Sequence, residues 1–109
     1  MTDWGVVVRN SFDRQAVHFT AHARREMEFE EFGVILVAEL IEAVQTMEVL
    51  REYPDDLPMP SALIYGSTYS DRPLHFVVAF DDEADTLTIV TVYQPHPMFW
   101  INNRERRNK

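Results

Sequence analysis

The chain has no cysteine and only three glycines. Without thiols there is no disulfide framework and no thiolate metal site. No two glycines lie near each other, which excludes a glycine-rich phosphate loop. Long apolar runs are missing as well: nothing approaches the roughly 20 consecutive apolar residues that span a bilayer. The opening "MTDWGVVVRN" has no signal-peptide pattern. The expected location is the cytosol, with no membrane association.

Positive charge is the other scarcity. Ten Lys and Arg stand against eighteen Asp and Glu, a net charge of −8. Ten of the acids fall between Glu26 and Asp56, and four more cluster at Asp81, Asp82, Glu83 and Asp85. Proteins that grip nucleic acid without sequence preference carry a basic face, because neutralising phosphates and releasing counterions drives that binding. Broad nucleic-acid binding is therefore disfavoured. A small basic site, or a basic partner protein, is compatible with the balance.

What remains describes one α+β domain of 109 residues, long enough for a real core and too short for two. In "GVVV" a short strand is expected, and "NSFDRQ" reads as a turn. "VHFT" is a brief extended stretch, and the Thr20 hydroxyl can cap a helix from Ala21 to about Phe32, stopped at Gly33. In "VILVAELIEAVQTM", Val37, Leu40, Ile41, Val44 and Met47 share one stripe, which predicts a core-facing helix. The period then changes to two. "EVLREY" and "SALIYGST" read as strands around the proline loop "PDDLPMP". "LHFVVAF" and "LTIVTVY" form a long hairpin across "DDEADT". Both hairpin strands are apolar on both faces, so the sheet needs cover on two sides. The helices supply one side. The N-terminal arm, the C-terminal segment or a partner must supply the other. The expected architecture is two helices packed on a mainly antiparallel sheet of four or five strands.

Four features could carry chemistry. His22 lies in the first helical turn, where the positive dipole end disfavours an added proton and leaves the imidazole free as base or acceptor. The free N–H groups there, with Arg24 or Arg25 a turn on, could hold a phosphate or carboxylate. The plain alternative is a helix-terminal histidine beside two solvated arginines paired with Glu28 or Glu31. His75 interrupts an apolar strand on the face of Val77 and Ala79, so it needs a partner; it is either structural or a poised acid or base. Tyr93 ends the last strand, to donate to a ligand or only to cap the sheet. Trp100, beside Phe99, stacks on a ligand or closes the core. His18 and His22 are separated by the helix start and do not share a face, so no metal site is expected. No cofactor is implied. His96, in "PHP", is expected to be exposed and idle.

The segments "HFTAHARREM", "VLREYPDD", "SALIYGST", "RPLHFVVAF" and "TLTIVTVYQPHPMFW" together resemble a family of small prokaryotic domains without assigned function. That family is similar to the RelE/ParE-like toxin superfamily, with two helices on a small antiparallel sheet. The resemblance covers residues 18–100, leaving 1–17 as an N-terminal extension and 101–109 as a charged tail. It implies correspondence at His22, Ala23, Arg24, Tyr53, Pro54, His75, Val92, Tyr93, Pro95 and Trp100. Gln94 replaces the usual acid, and "MEFEEFGV" is longer than the common form. Family members are often encoded beside a small protein with a zinc-finger-like domain, which suggests a toxin–antitoxin pair.

The leading expectation is thus a toxin that cuts mRNA, alone or on the ribosome, without a metal. Arg24 or Arg25 would bind the scissile phosphate. His75 or His22 would take the 2′-OH proton, and the other histidine or Tyr93 would protonate the leaving oxygen. The acidic charge speaks for two alternatives: a non-catalytic module that binds a basic protein, or a toxin that inhibits a protein target. A homodimer is compatible with any of these. Convergence of His22, an arginine and His75 in one cleft would favour the enzyme; dispersal, or burial in backbone hydrogen bonds, would disfavour it.

Overall fold

The structure is a computed structural model and describes residues 2–107. Three helices, α1 (Trp4–Asp13), α2 (Ala21–Glu28) and α3 (Val37–Val44), accompany a five-stranded sheet. Its strands are β1 (Val17–Phe19), β2 (Glu48–Tyr53), β3 (Ser61–Ser67), β4 (Pro73–Asp81) and β5 (Thr86–Tyr93). They lie in the order β1-β5-β4-β3-β2. Every pairing is antiparallel except β1 with β5. A small hairpin of β6 (Trp100–Ile101) and β7 (Glu105–Arg106) follows. The α+β class and the mostly antiparallel sheet are as the sequence pattern predicts. No helix among the described residues is long and apolar enough to cross a membrane.

Helix α1 corrects the reading of residues 1–17. "GVVV" is helical, not a strand. The side chain of Asp3 accepts the Val6 N–H, and Trp4, Val8 and Ser11 recur at helical spacing and are buried. The helix penalty of each valine is only a few tenths of a kcal/mol, about what one such buried contact outweighs. The turn comes at Gln15, whose φ is +57°.

Helix α2 ends at Glu28, four residues before the expected stop at Phe32. Ile35 swings into the core and donates its N–H to the Met27 carbonyl, closing the loop over the helix end. Helix α3 faces the core with Leu40, Ala43 and Val44, while Val37 and Ile41 of the predicted stripe stay exposed. The rotation follows from Gly66 of β3: a Cβ there would overlap the Ala43 carbonyl, so helix and strand meet backbone to backbone.

Against the helices the sheet presents Ala62, Ile64, Leu74, Phe76, Val78, Leu87, Ile89 and Val92, all fully buried. On the opposite face Tyr65, His75 and Tyr93 stand in one row across β3, β4 and β5. The C-terminal hairpin covers that row. Its turn sets Asn102 and Asn103 at positive φ, a conformation asparagine tolerates. Arg104 bonds Glu48 at 2.7 Å and lies 4.9 Å from the Tyr65 ring centroid. Within the segment read from sequence as a charged tail, residues 101–107 form most of this hairpin, with all but Asn103 exposed; the remaining tail lies outside the described residues.

Candidate functional site

The site begins where β1 stops. Strand β1 ends at Phe19, so β5 has no strand neighbour on that side beyond Ile89. Helix α2 fills in with side chains. The Thr20 hydroxyl donates to the Val90 carbonyl at 3.0 Å and accepts the Ala23 N–H at 3.0 Å, capping strand edge and helix at once. Glu26 accepts the Val92 N–H at 3.0 Å and the Thr91 hydroxyl. His22 sits a turn earlier, its Nε2 3.3 Å from Glu26 and its side chain 68% exposed.

His75 is fully buried. Its Nε2 lies 2.6 Å from the Asn103 carbonyl oxygen, which can only accept, so Nε2 carries the proton. Nδ1, 3.1 Å from the Tyr93 hydroxyl, is then the acceptor. The rings of Tyr65, Tyr93 and Trp100 meet the imidazole edge-on, with Trp100 nearest at 4.4 Å between centroids. Burial lowers the His75 pKa, and the bond to Asn103 opposes this only in part. Burial likewise pushes Tyr93 up to about 12, against the pull of Arg106 and with help from Glu26 and Tyr53. At neutral pH both groups are uncharged, and neither imidazole nitrogen is free.

Beside this row opens a cleft of about 430 Å³ between the end of α2 and the end of β5. Glu30 and Glu31 form one wall, Tyr93 and Gln94 another, and Phe99 with Trp100 a third, with His96 and Arg106 completing it. The Glu30 carboxyl is raised by burial, against the backbone N–H bond from Gln94. Arg106 lies over Phe99 and Trp100, 5.1 and 5.6 Å from their centroids. His96 is half-buried, between Phe32 and Phe99, with Nδ1 accepting the Met98 N–H at 2.9 Å. The expectation that His96 is exposed is corrected: between its two flanking prolines it turns partly inward, onto aromatic neighbours.

Arg72 lies behind the cleft and holds Gln94, one of its lining residues. The Arg72 side chain is only 15% exposed, and the guanidinium binds Glu39, the Gln94 side chain and the carbonyls of Gly33 and Val34. Gln94 thus serves as an acceptor for Arg72, which a neutral amide fills as well as an acid.

Of the six residues singled out from sequence, His75, Tyr93 and Trp100 come together. His22 stands in the first turn of α2, whereas Glu30 lies beyond its last residue, Glu28, and His22 is not among the residues that line the cleft. Arg24 lines a different groove, with Phe19, Met27 and Val34–Val37, and Arg25 is exposed. Neither arginine forms an ion pair among the described residues, so the expected pairing with Glu28 or Glu31 is absent there. Arg106 is the arginine that does reach Tyr93 and Trp100; nothing local in "RERRNK" marks it. Among the described residues no three His, Asp or Glu side chains gather as a metal site requires.

Fold and site together define a small α+β domain with a cleft of aromatic and charged side chains at one end of its sheet. The chain belongs to the DUF4258 family, described as a domain of unknown function, whose model matches residues 19–94. The match carries no link to RelE/ParE-like toxins. No curated protein and no solved structure matches the chain.

Proposed function

We propose that this domain is the toxin-type member of a toxin–antitoxin pair and acts as a non-catalytic module that binds a basic, partly apolar segment of its partner. The observation that carries this reading is the surface around the α2–α3 loop. Phe29, Phe32, Val34, Leu36, Val37 and Ile41 are all exposed within one short stretch of an acidic chain. Between the helices this stretch borders an open groove of about 470 Å³. Clustered apolar exposure rimmed by charge is the mark of a protein-binding surface. The negative balance selects a basic partner. The family resemblance suggests the zinc-finger-like protein encoded beside such domains.

Catalysis receives less support. A general base needs a free acceptor within reach of its proton, and Nδ1 of both His75 and His96 is already taken. The test is co-expression with the protein encoded next to this one, followed by light scattering on a sizing column. A one-to-one complex is expected. Val34→Asp and Leu36→Asp should abolish it while shifting unfolding by no more than about 0.5 kcal/mol, since both side chains are over half exposed. A complex indifferent to both substitutions would overturn the reading.

One observation favours a second reading, a RelE/ParE-like endoribonuclease: a protonated Tyr93 and the guanidinium of Arg106 share one open cleft. There Arg106 would be the phosphate ligand and Tyr93 the acid, once its proton turns from His75 Nδ1 toward the cleft. RNA fragments ending in 2′,3′-cyclic phosphate, lost in Tyr93→Phe, would replace the first reading by this one.

A further inference from the structure

The cleft at the end of β5 holds two elements that make no use of each other. On one side Arg106 rests on the faces of Phe99 and Trp100. On the other, Glu30 and Glu31 line the same cavity, and neither forms an ion pair with an arginine or lysine among the described residues. Among the residues that line the cavity, two carboxylates stand against the one guanidinium of Arg106; His96 Nε2 lies 3.9 Å from Glu31, and Arg72 acts on Glu30 from outside the lining. The cavity's volume lies in the range of small-ligand sites. Burial raises the Glu30 carboxyl, and an incoming cation would reverse that.

The geometry points to a receptor for an arginine side chain of the partner, held between the carboxylates of Glu30 and Glu31 and the aromatic faces of Phe99 and Trp100, where Arg106 now lies. This rests on the reading of the domain as a protein-binding module. Arginine suits such a cleft better than lysine. Its planar, weakly hydrated guanidinium stacks on an aromatic face and offers paired N–H donors to a carboxylate at the same time. Arg106 is then an internal competitor. Its side chain is exposed and belongs to a strand of two residues, so a rotation of that side chain vacates the rings.

The two tryptophans make the experiment specific. Trp4 is buried, with its indole N–H on Glu52, whereas Trp100 lines the cleft. Their indole N–H signals are followed by NMR in the full chain while tetra-arginine, tetra-lysine and inorganic phosphate are titrated in turn. Tetra-arginine should move the Trp100 signal and leave Trp4 in place, with tetra-lysine several-fold weaker. Arg106→Gln should tighten tetra-arginine binding by about two- to fivefold, the competitor being gone. Glu30→Gln with Glu31→Gln should weaken it by about tenfold or more. A Trp100 signal silent to tetra-arginine in both wild type and Arg106→Gln overturns the proposal. So does weaker tetra-arginine binding in Arg106→Gln. Phosphate moving Trp100 in the wild type but not in Arg106→Gln also overturns it, making the cleft an anion site. If the arginine receptor fails while the partner complex still depends on Val34 and Leu36, the binding-module reading stands; loss of that dependence defeats the reading itself.

Discussion

Tyr93 donates its hydroxyl to Nδ1 of His75 at 3.1 Å, while the Asn103 carbonyl holds the proton on Nε2. Both ring nitrogens are thereby committed, and the imidazole is fixed neutral in one tautomer inside a cage of aromatic rings.

A pH dependence of stability follows. Burial sets the folded pKa of His75 below its ordinary 6.5. Just below pH 6.5 the unfolded chain therefore binds a proton that the folded chain refuses. The stability from a neutral His75 is complete above that pH and declines as pH falls through the window beneath it. Urea midpoints between pH 7.5 and 5.5 should fall accordingly. His75→Gln, whose amide can still donate to Asn103 and accept from Tyr93, should flatten this part of the slope; an unchanged slope would remove His75 as its source.

Gly66→Ala should be among the most damaging single-atom additions. The new Cβ would collide with the Ala43 carbonyl of α3, a backbone atom that cannot rotate away. Overpacking of this kind costs about 1–3 kcal/mol, and the upper end is expected here. Thermal and urea unfolding measure it directly, and a loss within about 0.5 kcal/mol would mean that α3 slides freely over β3.

Arg72→Lys should also be poorly tolerated, although it keeps the charge. One ammonium cannot serve Glu39, Gln94 and two loop carbonyls from the directions a guanidinium covers. A loss of about 2–3 kcal/mol is expected, the size of one or two charge-assisted hydrogen bonds. Faster amide exchange at Gly33 and Ile35 should accompany it, and protection retained there would show that the loop does not depend on Arg72.

Thr20→Val preserves shape and removes the hydroxyl that both caps α2 and serves the Val90 carbonyl. Losing the cap alone costs about 1 kcal/mol, and the orphaned carbonyl adds to it, for about 1–2 kcal/mol in all. Thr20→Ser should restore most of that, a rescue that a purely steric role would not give.

The sheet was largely legible in the sequence because its signals are local. "EVLREY" is β2 residue for residue, and the apolar hairpin strands around "DDEADT" became β4 and β5. Helix α1 was not legible. Three consecutive valines favour a strand locally, and what makes them helical is the docking of Trp4 and Val8 onto the core. The rotation of α3 was hidden for a similar reason, since it depends on Gly66, more than twenty residues along the chain. At the site, His75 was conspicuous as a polar residue in an apolar strand, and Tyr93 and Trp100 as aromatics at element ends. Arg106 and His96 were not, because they become site residues only when the C-terminal hairpin folds back over β4 and β5. Arg72 looked like one scattered charge among several; its partners come from the α2–α3 loop, from α3 and from the end of β5.

The stoppering of β5 by Thr20 and Glu26 has a consequence for self-association. An unpaired strand border is a template on which another chain can add a strand, the first step toward aggregates and fibrils. Past Phe19 that template is blanked, because the Val90 carbonyl and the Val92 N–H are already occupied by side chains. β1 itself, at three residues, offers little more. Runaway growth of the sheet is thereby confined to its other border, where β2 carries Glu48, Arg51 and Glu52, charges that a neighbouring chain would have to match before it could add on.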